Sequence, residues 1–212
     1  MGTTDWSHWG WLGDHLALDF ANTVRVEDGR RVDLLNAPAD LHRWLSVEPA
    51  PLPMVEAVSP TELADFRVVR DAALAVLHAA AAENTLPPGP VGVINDRVRH
   101  TGITRLLGSA PGAAVHEAAD PATGVVAVVG VCAAAVVDLV AREDLANLAV
   151  CHAPGCGQFF HRGRPNQRWC SPGCGNRARV DRHRHRHHPP ETALDRTRTP
   201  GPRSAGQGTS GG

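Results

Sequence analysis

Four of the five cysteines in this 212-residue chain fall in one short stretch, as Cys151-His-Ala-Pro-Gly-Cys156 and Cys170-Ser-Pro-Gly-Cys174. A Pro-Gly turn inside each pair lets two thiolates point at one centre, about 2.3 Å from a Zn²⁺ ion. Two such turns supply four ligands and leave no position open for water, which marks a structural rather than a catalytic zinc site. Two disulfides are the alternative for the same spacing. The absence of a secretory signal and a reducing cytoplasm favour free thiols and one zinc. His152 and His161 are close enough in sequence to substitute for a cysteine, but Cys151, Cys156, Cys170 and Cys174 form the simpler set.

The residues after the second pair predict a helix. Ser171 suits the N-cap and Pro172 the first helical position, which places Cys174 in the first turn. A hairpin-like first pair followed by a second pair opening a helix is the treble-clef arrangement. On that helix Arg179, Arg182 and Arg186 recur at i, i+3 and i+7, and Arg177 and Arg184 lie seven apart. Arg162, Arg164 and Arg168 occupy the loop between the pairs, so the module presents eight guanidinium groups. Phe159, Phe160, Trp169, Ala178 and Val180 are expected to make a miniature core that the metal completes.

The run Trp169-Cys-Ser-Pro-Gly-Cys-Gly-Asn-Arg-Ala-Arg179 resembles the C-terminal CGNR zinc finger, whose four naming residues are here Cys174, Gly175, Asn176 and Arg177. Its second cysteine pair has three intervening residues where many relatives have four. Leu16-Ala-Leu-Asp-Phe-Ala-Asn-Thr-Val24 and Leu34–Leu45 resemble the ABATE domain that precedes this finger in bacterial stress-induced transcription regulators. The resemblance implies zinc and DNA binding and no known enzyme activity.

Charge is divided along the chain. Residues 1–150 hold ten arginines against nineteen acids, a balance of −9, and residues 151–212 hold eleven against three, a balance of +8. Basic charge gathered at one end is the footprint of a polyanionic partner. No apolar run is expected to span a membrane, and a cytoplasmic location follows. The division predicts an ABATE-like domain over 1–146, the finger over 147–188 and a Gly-, Pro- and Ser-rich disordered tail over 189–212.

The fold class expected is α+β, with a predominantly helical N-terminal domain followed by a small treble-clef-like finger and its basic helix. Leu16, Phe20 and Val24 at steps of four suggest a short helix carrying Asp19, Asn22 and Thr23, whose polar groups either line a pocket or cap backbone. Trp6, Trp9 and Trp11 are expected to lid the core. Val32–Leu35 suggests a strand, and Pro38 opens a helix through Trp44. Ser59-Pro-Thr-Glu62 is a capping box for a long helix to about Ala82, with Phe66, Val69, Ala73, Val76, Leu77 and Ala80 on its buried stripe. His78 near that stripe reads as a packed or surface histidine. Val91, Ile94 and Val98 predict another helix, and the pieces between Ile103 and Val115 suit paired strands. Gly124–Ala141 is read as a helix with Cys132 as a buried thiol.

Three functions compete. In the first, the finger binds double-stranded DNA and the N-terminal domain senses a small-molecule effector or forms a homodimer. In the second, the same basic surface binds RNA or protein, with Phe159, Phe160 and Trp169 exposed for stacking. The third is a treble-clef nuclease using His161, Asn166, His183 and Asp181 around a hard metal. The N-terminal domain carries no phosphate-binding glycine loop, nucleophile elbow or metal-spaced carboxylates, which argues against an enzyme. The alternation from His183 to His188 offers either a second metal site or a pH-dependent charge, beside the plainer reading of a solvated helix end.

Overall fold

The computed structural model describes residues 13–27, 30–101, 103–107, 114–118, 122–141 and 143–187. The three N-terminal tryptophans, His188 and the tail expected to be disordered lie outside the described residues.

Leu16–Ala21 forms α1, six residues long, with His15 Nδ1 accepting the Ala17 N–H at 3.1 Å. It stops short of Val24, which instead opens β1 (Val24–Glu27), antiparallel to β2 (Arg30–Asp33) with Val24 opposite Asp33. β-branched Val24 and Val26 favour the pleated backbone, so the step-of-four pattern ends one turn early. Helix α2 (Pro38–Val47) follows, and its Asp40 carboxylate accepts the N–H groups of Asn36 and Ala37 at 2.8 Å each.

Helix α3 (Pro60–Ala81) begins at the expected capping box: the Ser59 hydroxyl accepts the Glu62 N–H at 3.2 Å, and the Glu62 carboxylate accepts the Ser59 N–H at 2.8 Å. Its buried stripe includes all six predicted residues and also Arg70, which is 1 % exposed. Arg70 donates to both Asp33 oxygens at 2.8 and 2.7 Å, clamping α3 to the end of β2. Burial is the largest single influence on Asp33 and would raise its pKa, but the Arg70 hydrogen bonds, the Leu35 N–H and the charges of Arg70 and Arg67 together hold the carboxyl below its usual value. At the other end, Glu83 takes φ 55° while the Glu83 and Asn84 N–H groups bond to the Ala80 and Ala79 carbonyls. That is a Schellman termination with a glutamate where glycine is usual.

Helix α4 (Pro88–His100) precedes a hairpin of β3 (Ile103–Leu107) and β4 (Ala114–Ala118), with Ile103 opposite Ala118. Helix α5 (Gly124–Ala141) then packs on α1, α3 and α4. It is, among the described residues, the one helix long and apolar enough to cross a membrane by length and composition, which corrects the expectation that no apolar run reaches that length. Half of that span is buried inside the protein, including Val128, Val129, Cys132 and Ala133, so it serves as the core helix. Gly130 faces the buried Thr101 side chain so closely that a Cβ would lie 2.1 Å from its methyl carbon. Around α5 the core closes with Phe20 edge-on to Phe66 at 4.9 Å and Trp44 against Phe66 at 5.6 Å.

A 3₁₀ turn (Glu143–Asn147) leads into β5 (Leu148–Val150), which pairs antiparallel with β6 (Phe159–His161), and the basic helix α6 (Pro172–His187) ends the described chain. The expected α+β class, with a helical first part and a treble-clef-like finger, is the fold observed.

The finger sits against the helical part through specific bonds. Phe159 and Leu148 belong to the helical core, 3 % and 4 % exposed, and the His78 ring lies 4.6 Å from the Phe159 ring. Asn22 donates to the Phe159 carbonyl and accepts the Phe159 N–H, both at 2.9 Å, and the Asp14 carboxylate accepts the His161 N–H at 2.8 Å. The knuckle glycine Gly157 meets β1: a Cβ there would lie 2.9 Å from Val26. The miniature finger core therefore differs from expectation. It is built from Ala149, Ala153, Phe160 and the cysteines, with Trp169 packed on it, while Phe159 faces the other core, Ala178 is buried outside that cluster and Val180 is half exposed.

Candidate metal centre and arginine surface

The four cysteine sulfurs lie within 4.8 Å of one another. A tetrahedron of 2.3 Å Zn–S bonds places its sulfurs about 3.8 Å apart. The Cys156–Cys170 and Cys170–Cys174 separations are 3.7 and 3.4 Å, far beyond a disulfide's bond length, and all four thiols are free. Local chain chemistry sets this up. Gly155 and Gly157 take φ 68° and 86°, which turns the first knuckle, and the Gly157 N–H closes it on the Cys151 carbonyl at 2.9 Å. Ser171 caps α6 as expected, its hydroxyl accepting the Cys174 N–H at 3.3 Å.

Packed this closely without a cation, the thiols compete for protons. Hydrogen bonds from Cys156 and Cys170 push the Cys151 pKa down, and the bond to Cys151 pushes Cys156 up to about 11 and Cys170 up as well. One dication resolves that competition by letting all four ionise, and the donor set, size and burial fit Zn²⁺. The protein holds one structural zinc through Cys151, Cys156, Cys170 and Cys174. His152 is exposed and His161 donates its backbone N–H to Asp14, and neither joins the cluster.

The residues after Cys174 have separable tasks. Gly175 lies under the Trp169 indole, where a Cβ would sit 3.2 Å from Cδ1. Asn176 accepts from Arg179 at 3.0 Å. Arg177 donates to the Cys174 sulfur at 2.9 Å, a contact the sequence analysis missed by counting it only with the nucleic-acid arginines. Such an outer hydrogen bond stabilises the thiolate and orients it on the metal.

All eight finger arginines are exposed. The buried stripe of α6 runs through Cys174 and Ala178, with Arg177 and Arg184 on one side and Arg179, Arg182 and Arg186 on the other. Arg182 Nε donates to the Ala178 carbonyl at 3.1 Å, and Arg168 lies over Trp169 at 5.6 Å. Among the described residues none of the eight pairs with a carboxylate. Five arginines of the helical part behave differently: Arg31, Arg67, Arg70, Arg97 and Arg99 are each ion-paired.

Asp19, Asn22 and Thr23 are all buried and act on backbone: Asp19 accepts the Gly13 N–H at 2.7 Å, Thr23 donates to Phe20, and Asn22 holds Phe159. Burial, reinforced by Glu48 and Asp14, raises the Asp19 pKa from 3.8 to about 7 despite the Gly13 hydrogen bond. The folded protein thus keeps a proton that the unfolded chain releases near pH 4. This group's contribution is complete below that pH and declines as pH rises toward about 7, by as much as ~4 kcal/mol. Asp19→Asn is expected to flatten the fall in melting temperature between about pH 5 and 7, measured with zinc in excess.

A closed four-thiolate zinc finger lashed to a helical domain defines the class: a zinc-finger protein whose metal shapes a basic surface. Residues 14–143 match the family model ABATE, described as "putative stress-induced transcription regulator", and residues 147–187 match the CGNR zinc finger. The chain belongs to the ABATE family and carries the CGNR finger. No curated protein matches it.

Proposed function

We propose that the protein is a cytoplasmic, zinc-dependent transcription regulator that binds double-stranded DNA through α6 and the loop before it. The observation that carries this reading is the set of eight exposed finger arginines without a carboxylate partner among the described residues. Arg162, Arg164, Arg168, Arg177, Arg179, Arg182, Arg184 and Arg186 supply the positive surface that neutralises phosphates, and one or two of them read guanine edges. Segment 1–146, held off the DNA by its acidic balance, senses an effector or forms a homodimer. Residues 147–188 are the finger and 189–212 a tail.

Burial of Phe159 and Phe160 favours duplex over single-strand binding, since neither ring is free to stack. A non-enzymatic role is supported by the closed ligand set. Among the described residues the four cysteines are also the one group of three or more His, Cys, Asp or Glu side chains close enough to share an ion, so His161, Asp181 and His183 build no nuclease centre of that kind. The test is binding of the zinc-loaded protein to duplex and single strands across a salt series with competing genomic fragments. Salt-steep duplex binding with an enriched sequence is expected; equal binding to both strand forms would move the surface to the RNA or protein class.

A further inference from the structure

We infer that the groove between the C-terminal end of α3 and the finger loop is a nucleotide site, one that takes a nucleobase together with its adjacent phosphate. The groove encloses about 980 Å³, within the range of small-molecule pockets. Ala81, Ala82, Val150 and Phe160 give it apolar surface, and Trp169 adds an indole. Arg162 and Arg168 line it from the loop, and among the described residues no acidic side chain does.

Each of these features selects a part of the ligand. A bare phosphate would need the two guanidinium groups but neither the indole nor the apolar wall. A neutral aromatic would use the wall and leave two arginines facing it without an anion. A base joined to a phosphate uses both, by packing on the apolar wall beside the indole and by charge-assisted hydrogen bonds from the arginines. The polar residues divide in the same way. The Gln167 amide is spent inside the loop, accepting the Gly163 N–H at 2.9 Å and donating to the Trp169 carbonyl at 3.2 Å. The neighbouring Asn166 is exposed, with no partner among the described residues, and offers a donor and an acceptor suited to a base edge.

Placement gives the site a regulatory reach. His78, Ala81 and Ala82 belong to the helical part while the loop belongs to the finger, so one ligand touches both. Arg162 and Arg168 also belong to the proposed DNA surface. An occupied groove removes them from it, and nucleotide and duplex then compete. The site itself rests on the groove and not on duplex binding.

Calorimetric titration of the zinc-loaded full chain tests this in two arms. One uses AMP and GMP, and the other compares a duplex carrying a single bulged base with the fully paired duplex. Saturable binding in the first arm identifies a free nucleotide as the source, and preference for the bulged duplex alone identifies an unstacked base. In either case Arg162→Ala/Arg168→Ala is expected to lower that affinity about tenfold or more, while Arg30→Ala, an exposed arginine of β2 outside both the groove lining and the proposed DNA surface, leaves it unchanged. Absence of binding in both arms overturns the site. An equal loss in Arg30→Ala does so too, because net charge rather than the groove would then be responsible.

Discussion

Removing the zinc by chelation, or replacing Cys174 with Ser, is expected to unfold the finger and also to weaken the helical domain. On sequence alone Cys174→Ser should abolish zinc binding and finger folding and leave the N-terminal domain folded. The structure places two side chains of the finger strands, Leu148 and Phe159, in the helical core. Losing their burial costs about 1.5–3 kcal/mol each. For a chain of this size that lowers the unfolding temperature by roughly 10 °C or more. Circular dichroism melts with zinc and with chelator measure it, since most of the helix resides in α1 to α5. A helical domain that stays folded but melts earlier is the expected result. An unchanged melting temperature would mean that Phe159 and Leu148 add nothing to that core and that the finger is an independent appendage.

Replacing Arg179, Arg182 and Arg186 together with Ala is expected to weaken duplex binding roughly tenfold or more at moderate salt. It should also reduce the slope of log affinity against log salt by about three, because each lost phosphate contact removes close to one released counterion. Unchanged binding would shift the contact surface to the loop arginines. Arg177→Ala should behave differently from the triple variant. Its guanidinium bonds to the Cys174 sulfur, so the first loss is zinc affinity, about tenfold or more for an outer hydrogen bond of this kind. Competition with a chromophoric chelator reads that loss without any DNA present.

These two variants show where the chain can be read directly and where it cannot. Cysteine spacing, the Ser171 cap and the Ser59–Glu62 box are local chemistry, satisfied within pairs of residues three to five apart, and all three appear where the sequence puts them. The eight arginines share one residue type, so nothing local separates Arg177, three residues from a thiolate, from Arg184. Phe159 and Phe160 posed a harder problem. Neighbours on a strand point to opposite faces, and which face meets which core depends on α3 and α1, more than seventy residues away. Asn22 left two readings open for the same reason: its partner is the backbone of residue 159. The short α1 and the strand at Val24 reflect β-branching prevailing over an apolar step of four across too few residues to decide by pattern.

The paired hydrogen bonds between Asn22 and Phe159 bear on how far apart two fingers could stand in the proposed DNA-binding role. A finger on a flexible tether would tolerate many separations between recognition half-sites, since its leash would absorb the difference. Here α1 holds strand β6 by both of its backbone polar groups at one residue, and Asp14 grips the same strand two residues on. A pair of such molecules joined through their helical domains would act as a caliper, its jaw opening set by the body. Operator half-sites would then be measured in whole turns of the double helix, and inserting a few base pairs between them would uncouple the two fingers.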